Sequence, residues 1–467
     1  MFLKKFIGTK EFYKSVFIIV LPIILQNGLN NLVNLLDNIM VGSLGTEQMS
    51  GVAIVNQLIF VFTLCIFGGT AGAGIFTAQF YGNKNDEGIK HSLKFKFYIC
   101  FILSVIAYTV FALFGDDLVN AFLHEGGESG NIELAFKFAM QYMPIAILAQ
   151  IPNALTQIYA STLRETEQTF IPMMASLASV FINLTLNYLL IFGKLGLPAL
   201  GVQGAAIATL VARITECLIV IIWSHTHTEQ KPFFKNIFKT FKIPKQILSE
   251  LIKKGSVLLL NEALWSGVQT AILSCYSMRG LASVAAMNIN NTFNNLFSIV
   301  FFSMGNAIAI IVGNLLGAGK LAEARDADNK IIALSFVCCI FFGSLMAILT
   351  PLLVSFYNTG ADVKSLAISL MLISALTMPI HSLLHNFYFT LRSGGKTFIT
   401  FLFDSGFATC ISLPVAFILA NFTLIPTEML YLSIMGIEAL KLIVGFILVK
   451  KGVWINNIVQ KHENSLA

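Results

Sequence analysis

Charge is what this chain has least of: Lys, Arg, Asp and Glu make up only 12% of its 467 residues, whereas 56% are apolar. A soluble domain carries about a quarter charged residues, so an ordinary water-facing surface is excluded. The seven cysteines show no metal-ligand spacing, and only Cys338 and Cys339 are adjacent, which excludes a disulfide scaffold and a zinc module and leaves packing roles. The apolar runs do not alternate with polar residues, which excludes a membrane barrel. The first run lacks a small-residue cleavage site and is too long for a signal-peptide core, so it reads as an uncleaved span. No nucleophile–base motif or metal set stands out. An intramembrane enzyme would have to be built from His381, His385 and Glu262, which lie on different spans, and the reading is therefore of a non-enzyme.

Long apolar runs are abundant. Twelve are long enough to cross about 30 Å of hydrocarbon as helix, near 15–41, 51–81, 96–115, 133–159, 169–193, 202–224, 255–278, 284–316, 331–356, 365–390, 398–421 and 430–449. With twelve spans every basic loop falls on one side, from Lys4, Lys5, Lys10 and Lys14 before the first span to Lys450 and Lys451 after the last. Acids such as Asp116, Asp117, Glu125 and Glu128 fall on the other. The positive-inside rule then puts both termini in the cytoplasm, in a multi-pass protein of the cytoplasmic membrane. The net charge of +6 is explained by these loops and calls for no nucleic acid.

The chain also repeats itself. Thr162-Leu163-Arg164 and Thr169-Phe170-Ile171 return as Thr390-Leu391-Arg392 and Thr397-Phe398-Ile399. A looser echo joins Gln79-Phe80-Tyr81-Gly82 to Asn314-Leu315-Leu316-Gly317. Parallel repeats of this kind are the layout of a transporter with two halves. They divide the chain into an N-terminal lobe (1–224, spans 1–6), a basic cytoplasmic linker (225–254) and a C-terminal lobe with a short tail (255–467). His225-Thr226-His227 in the linker reads as part of a solvated interfacial loop rather than a metal pair.

Ionisable groups within hydrocarbon are costly and mark function by default. Asp37 stands alone in Leu35-Leu36-Asp37-Asn38, with no base three or four residues away. It is a candidate ion-coupling acid, the alternative being a helix-end acid that snorkels to the interface. Glu262 follows Asn261 and precedes Trp265, an acid and a ring suited to a lipophilic cation; otherwise it is a structural acid held by amides. Asn27 is its repeat counterpart. Arg213 with Glu216 and Glu438 with Lys441 are spaced to pair on their helices and read as structural neutral pairs. His381 and His385 share a helix face as cavity lining, packing or a proton relay. Asp404, the counterpart of Ser176, falls near the inner interface. Asn288, Asn290, Asn291, Asn294 and Asn295 crowd one span, where amides at this density face a wet cavity or an ion rather than lipid. The 41 Phe and 15 Met offer deformable apolar walls permissive of several ligands.

Leu21-Pro22, Asp37 and Val41-Gly42 form one set of motifs. Asn183, Asn187, Ile191-Phe192-Gly193, Gly201-Val202, Gly204 to Thr209, Ala212-Arg213 and Glu216 form a second. Gly313 to Lys320 and Leu391-Arg392-Ser393-Gly394-Gly395 complete them. Taken in order, they resemble the multidrug and toxic compound extrusion (MATE) transporters over essentially the whole chain. The resemblance implies an all-α polytopic membrane protein, with twelve transmembrane helices in two pseudo-symmetric six-helix lobes around a central cavity. It implies export of lipophilic organic cations in exchange for inward Na⁺ or H⁺, with no cofactor beyond the coupling ion, as a monomer or weak dimer. It makes Asp37 the acid of the N-terminal lobe and Glu262 that of the C-terminal lobe, a possible Na⁺ ligand, as in NorM-like members. Asn261, Asn187, Asn183, Gln57, Asn288, Asn291, Trp265 and His385 complete the expected ion and substrate set. DinF-like members have an Asp where this chain has Asn187, so their paired-acid site is incomplete here. A lipid-linked sugar flippase of the same superfamily is the rival reading. Such a cavity calls for several bases, whereas Arg213 and Lys441 each lie near an acid.

Overall fold

The structure, a computed structural model, describes residues 6–122, 131–240, 242–357 and 359–463. Its regular elements among these residues are helices, as hydrocarbon demands of segments whose backbone groups must find partners within themselves. In the first half they are α1 (Lys10–Gly42), α2 (Thr46–Gly82), α3 (Asp86–Phe122), α4 (Ile132–Leu148), α5 (Gln150–Glu165), α6 (Phe170–Phe192) and α7 (Val202–Thr226). In the second they are α8 (Lys245–Ser277), α9 (Leu281–Gly317), α10 (Leu321–Ser355), α11 (Ala361–Ser393), α12 (Thr397–Phe401), α13 (Leu413–Phe422), α14 (Thr427–Lys450) and the short α15 (Ile458–Glu463). Helices α4 and α5 together form one span, Ile132–Glu165. α12 and α13 form another, joined by two π-helical turns, Leu402–Gly406 and Ala408–Ser412.

Eleven spans among the described residues are long and apolar enough to cross a membrane by composition. The twelfth is α8, which at 33 residues is longer than α7 (25 residues) and shorter than α9 (37 residues). Its Lys253, Lys254, Asn261 and Glu262 lower its hydropathy, so the helix with the most telling polar residues is the one a composition threshold passes over. It also begins at Lys245, so the end of the basic 225–254 stretch is helical. The middle of that stretch is not simply solvated, because Phe233, Phe234 and Ile237 are buried. Phe234 stacks on Tyr159 with ring centroids 5.6 Å apart, and the Tyr159 hydroxyl meets His225 Nε2 at 2.9 Å.

Packing divides the chain into two compact units. The C-terminal unit comprises Met1–Ile24, Ala78–Asn85 and Ser256–Ala467, and the N-terminal unit Leu25–Thr77 and Asp86–Gly255. Helices α1, α2 and α8 therefore contribute to both. Within the C-terminal unit, one apolar cluster joins Val268, Met287, Met346, Leu370 and Tyr431, and another joins Val16, Val20, Ile308, Leu391 and Trp454. The N-terminal unit is built around Val55, Ala139, Ile191 and Ala206.

The looser sequence echo has a physical cause within the C-terminal unit. A Cβ on Gly82 would lie 1.9 Å from the Asn314 carbonyl oxygen, and one on Gly317 would lie 1.9 Å from that of Gln79. The ends of α2 and α9 thus meet backbone to backbone, with repeat-equivalent glycines on each side. The chain after α14 braces this crossing. Gln79 Nε2 donates to Ser393 O at 3.0 Å and Asn456 O at 3.2 Å, and its Oε1 accepts from Ile458 N at 2.8 Å.

Candidate functional site

In the N-terminal unit, Asp37 is half-buried on α1 and faces α6. Asn187 Nδ2 donates to Asp37 Oδ1 at 2.5 Å and lies 3.1 Å from Asn183 Oδ1. Asn183 in turn donates to Thr209 Oγ1 at 3.3 Å. Residues 183 and 187 are one helical turn apart, which places both amides on the face that meets the acid. Asn187 and Asn183 are buried, and Asn187 Oδ1 has no hydrogen-bond partner. The sequence-derived trio is therefore one cluster, with a spare buried oxygen beside a carboxylate. Gln57, by contrast, is exposed.

Next to this cluster runs a second polar chain. Arg213 pairs with Glu216 at 3.0 Å, Ser176 Oγ donates to Glu216 Oε1 at 2.5 Å, and Gln26 Nε2 donates to Ser176 Oγ at 2.8 Å. Arg164 Nη1 closes it by donating to Gln26 Oε1 at 3.3 Å.

The C-terminal unit holds the counterpart. Asn261 Nδ2 donates to Asp404 Oδ2 at 3.1 Å, and Lys441 Nζ lies 3.2 Å from Asp404 Oδ1 and 3.5 Å from Glu438 Oε2. Ser412 donates to Glu438 Oε1 at 2.5 Å, and Ser405 Oγ to Asn261 Oδ1 at 2.9 Å. Glu262 Oε1 accepts from the Tyr388 hydroxyl at 3.0 Å. Asp404 and Glu438 thus share Lys441, while Glu262 forms no ion pair among the described residues. Arg392 and Asp404 are its charged neighbours.

The two networks share a plan: the amide position (Gln26, Asn261) and the base position (Arg213, Lys441) are repeat equivalents. The link between them is a hydroxyl in one half, Ser176, and an acid in the other, Asp404. The helical pairs expected at Arg213/Glu216 and Glu438/Lys441 both form, but Lys441 also binds Asp404, which the helical spacing does not reveal. Asp404 reaches both Asn261 and Lys441 from within a π turn, whose wider i→i+5 winding re-aims side chains.

Other expected residues scatter. Among the five amides crowded at 288–295, Asn290 is the buried one; it accepts from Ser374 at 2.8 Å and lies 3.4 Å from the Tyr431 hydroxyl. Asn288 is exposed and Asn291 half-buried. Trp265 is half-buried on α8. His385 sits among Phe302 and Phe389, with ring centroids 4.6 and 4.8 Å away, and His381 Nε2 contacts Met435 Sδ at 3.0 Å; neither contact forms a proton relay. Sequence reasoning missed Tyr388 and the buried Asp328. The second had a signal, since Ala324, Ala327, Asp328 and Ile331 share one helical face and all four are buried.

A family model, MatE, matches residues 22–189 and again 258–418. The chain belongs to the MATE family. The two matches begin near the repeat shift, one in each half. Similar curated relatives include the probable multidrug resistance protein YoeA of Bacillus subtilis, 23% identical over 88% of each chain. Another is the probable multidrug resistance protein NorM of Oceanobacillus iheyensis, 27% identical over 89% of this chain and 91% of that one. A mutant of the Vibrio cholerae MATE transporter VcmN has the same fold, with a TM-score of 0.85 at 16% identity, covering 96% of this chain and 98% of that one. This MATE chain is therefore a multi-pass integral membrane transporter and not an enzyme.

Lys441→Met is expected to leave two acids without their shared base. The cost of stranding buried charge this way is about 3 kcal/mol, read as a lower melting temperature in detergent. Adding Asp404→Asn to Lys441→Met should recover part of the loss.

Proposed function

We propose that this MATE protein exports lipophilic organic cations across the cytoplasmic membrane in exchange for inward Na⁺ or H⁺, with both termini in the cytoplasm. The observation that carries the reading is Glu262, a carboxylate that takes a hydrogen bond from Tyr388 and forms no ion pair among the described residues, while the nearby Lys441 is already shared by Asp404 and Glu438. A carboxylate held in this way is a receptor for a cation. Asp37, with its amide pair, is the equivalent in the other half. The names of the multidrug resistance relatives support a drug-like substrate class.

The cycle follows from charge. An ion entering from outside binds Glu262 or Asp37 and lowers the affinity for the organic cation, which leaves. The protein changes access, releases the ion inward and takes up new substrate. Moving one positive charge outward against 100 mV costs about 2.3 kcal/mol, and exchange for one inward monovalent cation cancels that term.

The test is efflux of a fluorescent lipophilic cation from proteoliposomes under separately imposed sodium and proton gradients. Efflux driven by one gradient supports the proposal and names the ion, and Asp37→Asn is expected to slow it while leaving the fold intact. Failure of folded, correctly oriented protein under both gradients would overturn it in favour of a lipid flippase.

A further inference from the structure

Asp328 lies in the third turn of α10, just past a start whose Leu321, Glu323, Arg325 and Asp326 are exposed, yet its own side chain is 1% exposed. It packs against α11, where Thr390 Oγ1 lies 2.6 Å from Asp328 Oδ1 and 2.9 Å from the Asn386 carbonyl oxygen. Asp328 Oδ2 has no hydrogen-bond partner, and the neighbouring Asn386 Oδ1 has none either. The Asn386 amide points instead toward Ser382 Oγ at 3.5 Å. No ion pair among the described residues includes Asp328.

Hydrogens are too few at this spot for a carboxylate. A threonine hydroxyl has one proton, and in a helix it commonly goes to the carbonyl four residues back, here Asn386. The 2.6 Å contact to Asp328 then lacks a hydrogen unless the acid supplies it. A neutral Asp328 donating to Thr390, which donates to Asn386, gives each contact its own proton. It also leaves only an uncharged carbonyl oxygen without a partner, which is far less costly than an unpartnered buried anion.

We infer that Asp328 is a proton-binding site, separate from Glu262 and Asp37, that holds its proton toward Thr390 and exchanges it through the exposed start of α10. The surrounding charges do not substitute for that proton. On α10, Lys320 pairs with Glu323 and Lys330 with Asp326, and Arg325 donates to the Lys450 carbonyl. On α11, Arg392 lies over Phe389, 5.0 Å from the ring centroid, and His385 sits in its aromatic nest. Helix α9 contributes no titratable side chain, and Tyr81 and Lys84 are the titratable residues of the 78–85 segment. Losing the proton would leave a carboxylate with one contested donor and separate α10 from α11 at Thr390. That threonine is two residues from both Tyr388, the hydroxyl donor to Glu262, and Arg392. The site therefore bears on the coupling acid through α11, a consequence that rests on the function proposed above, whereas protonation itself does not.

The test is infrared spectroscopy of the purified full-length protein near neutral pH, reading the carbonyl band of protonated carboxyls. Asp328→Asn is expected to remove a component that Glu262→Gln leaves in place. Thr390→Val should shift that component, because the acid O–H loses its acceptor. A component untouched by both Asp328→Asn and Thr390→Val would overturn the inference. Should Asp328→Asn fail to fold, the shift in Thr390→Val decides alone. Because the readout does not depend on transport, the inference and the exporter reading fail separately.

Discussion

Glu262→Gln is expected to abolish cation-driven export while leaving the protein folded and able to bind substrate. Glutamine keeps an oxygen that accepts from Tyr388, so the hydrogen bond at 3.0 Å survives and the packing is unchanged. What disappears is the negative charge for which, in the proposed cycle, ion and substrate compete. Coupling between two ligands is typically about 5- to 150-fold in affinity, and that factor should fall toward one. The measurement is binding of a fluorescent cation to the detergent-solubilised protein with and without the coupling ion. Intact protein should show displacement by the ion, and Glu262→Gln should show nearly equal affinities in both conditions. Ion-dependent displacement that persists in the variant would remove Glu262 from the coupling role and leave Asp37 as the acid to examine.

Gly317→Ala is expected to be among the most damaging single substitutions in the chain. Its Cβ would sit 1.9 Å from the Gln79 carbonyl oxygen, and the two nearest atoms after that are also Gln79 backbone, so no side chain can swing aside. The ends of α2 and α9 must separate, and with them the Gln79 bonds to Ser393, Asn456 and Ile458. Overpacking of this kind costs about 3 kcal/mol, and the lost bracing adds to it. Thermal unfolding in detergent reads the loss. Gly319→Ala, two residues on in open space but at φ +74°, controls for backbone strain alone and should cost less.

Much of the fold could be read from the sequence because hydrocarbon leaves few options. A continuous apolar run must be a helix, and a lone acid within one is conspicuous, which is why Asp37 and Glu262 stood out. Asn183 and Asn187 entered only through the family resemblance, and it is the structure that brings them against Asp37. Asp404 was not legible in the same way. Its contacts depend on two π turns, and a period of 3.6 residues cannot say where a side chain points once the winding changes. Tyr388 was hidden by its commonness, since one aromatic among many in a span carries no signal until an acid is seen beside it. The crowded amides of α9 show another limit. The density of asparagine announced a polar stripe, but only packing against Ser374 and Tyr431 selects Asn290 over Asn288 and Asn291.

The crossing of α2 and α9 also bears on how such a chain is put together. Gly82 meets the carbonyl of residue 314 and Gly317 meets that of residue 79; each pair is the other's image under the repeat. A contact in which one copy's patch touches the same patch on its twin is isologous, the kind made by two-fold dimers. The chain therefore carries, within its C-terminal unit, a contact of the kind that joins the subunits of a two-fold dimer. Divergence is free at Ser176 and Asp404, where one half can keep a hydroxyl and the other acquire a charge. It is not free at this contact, where a side chain on either glycine would strike the backbone of the other half.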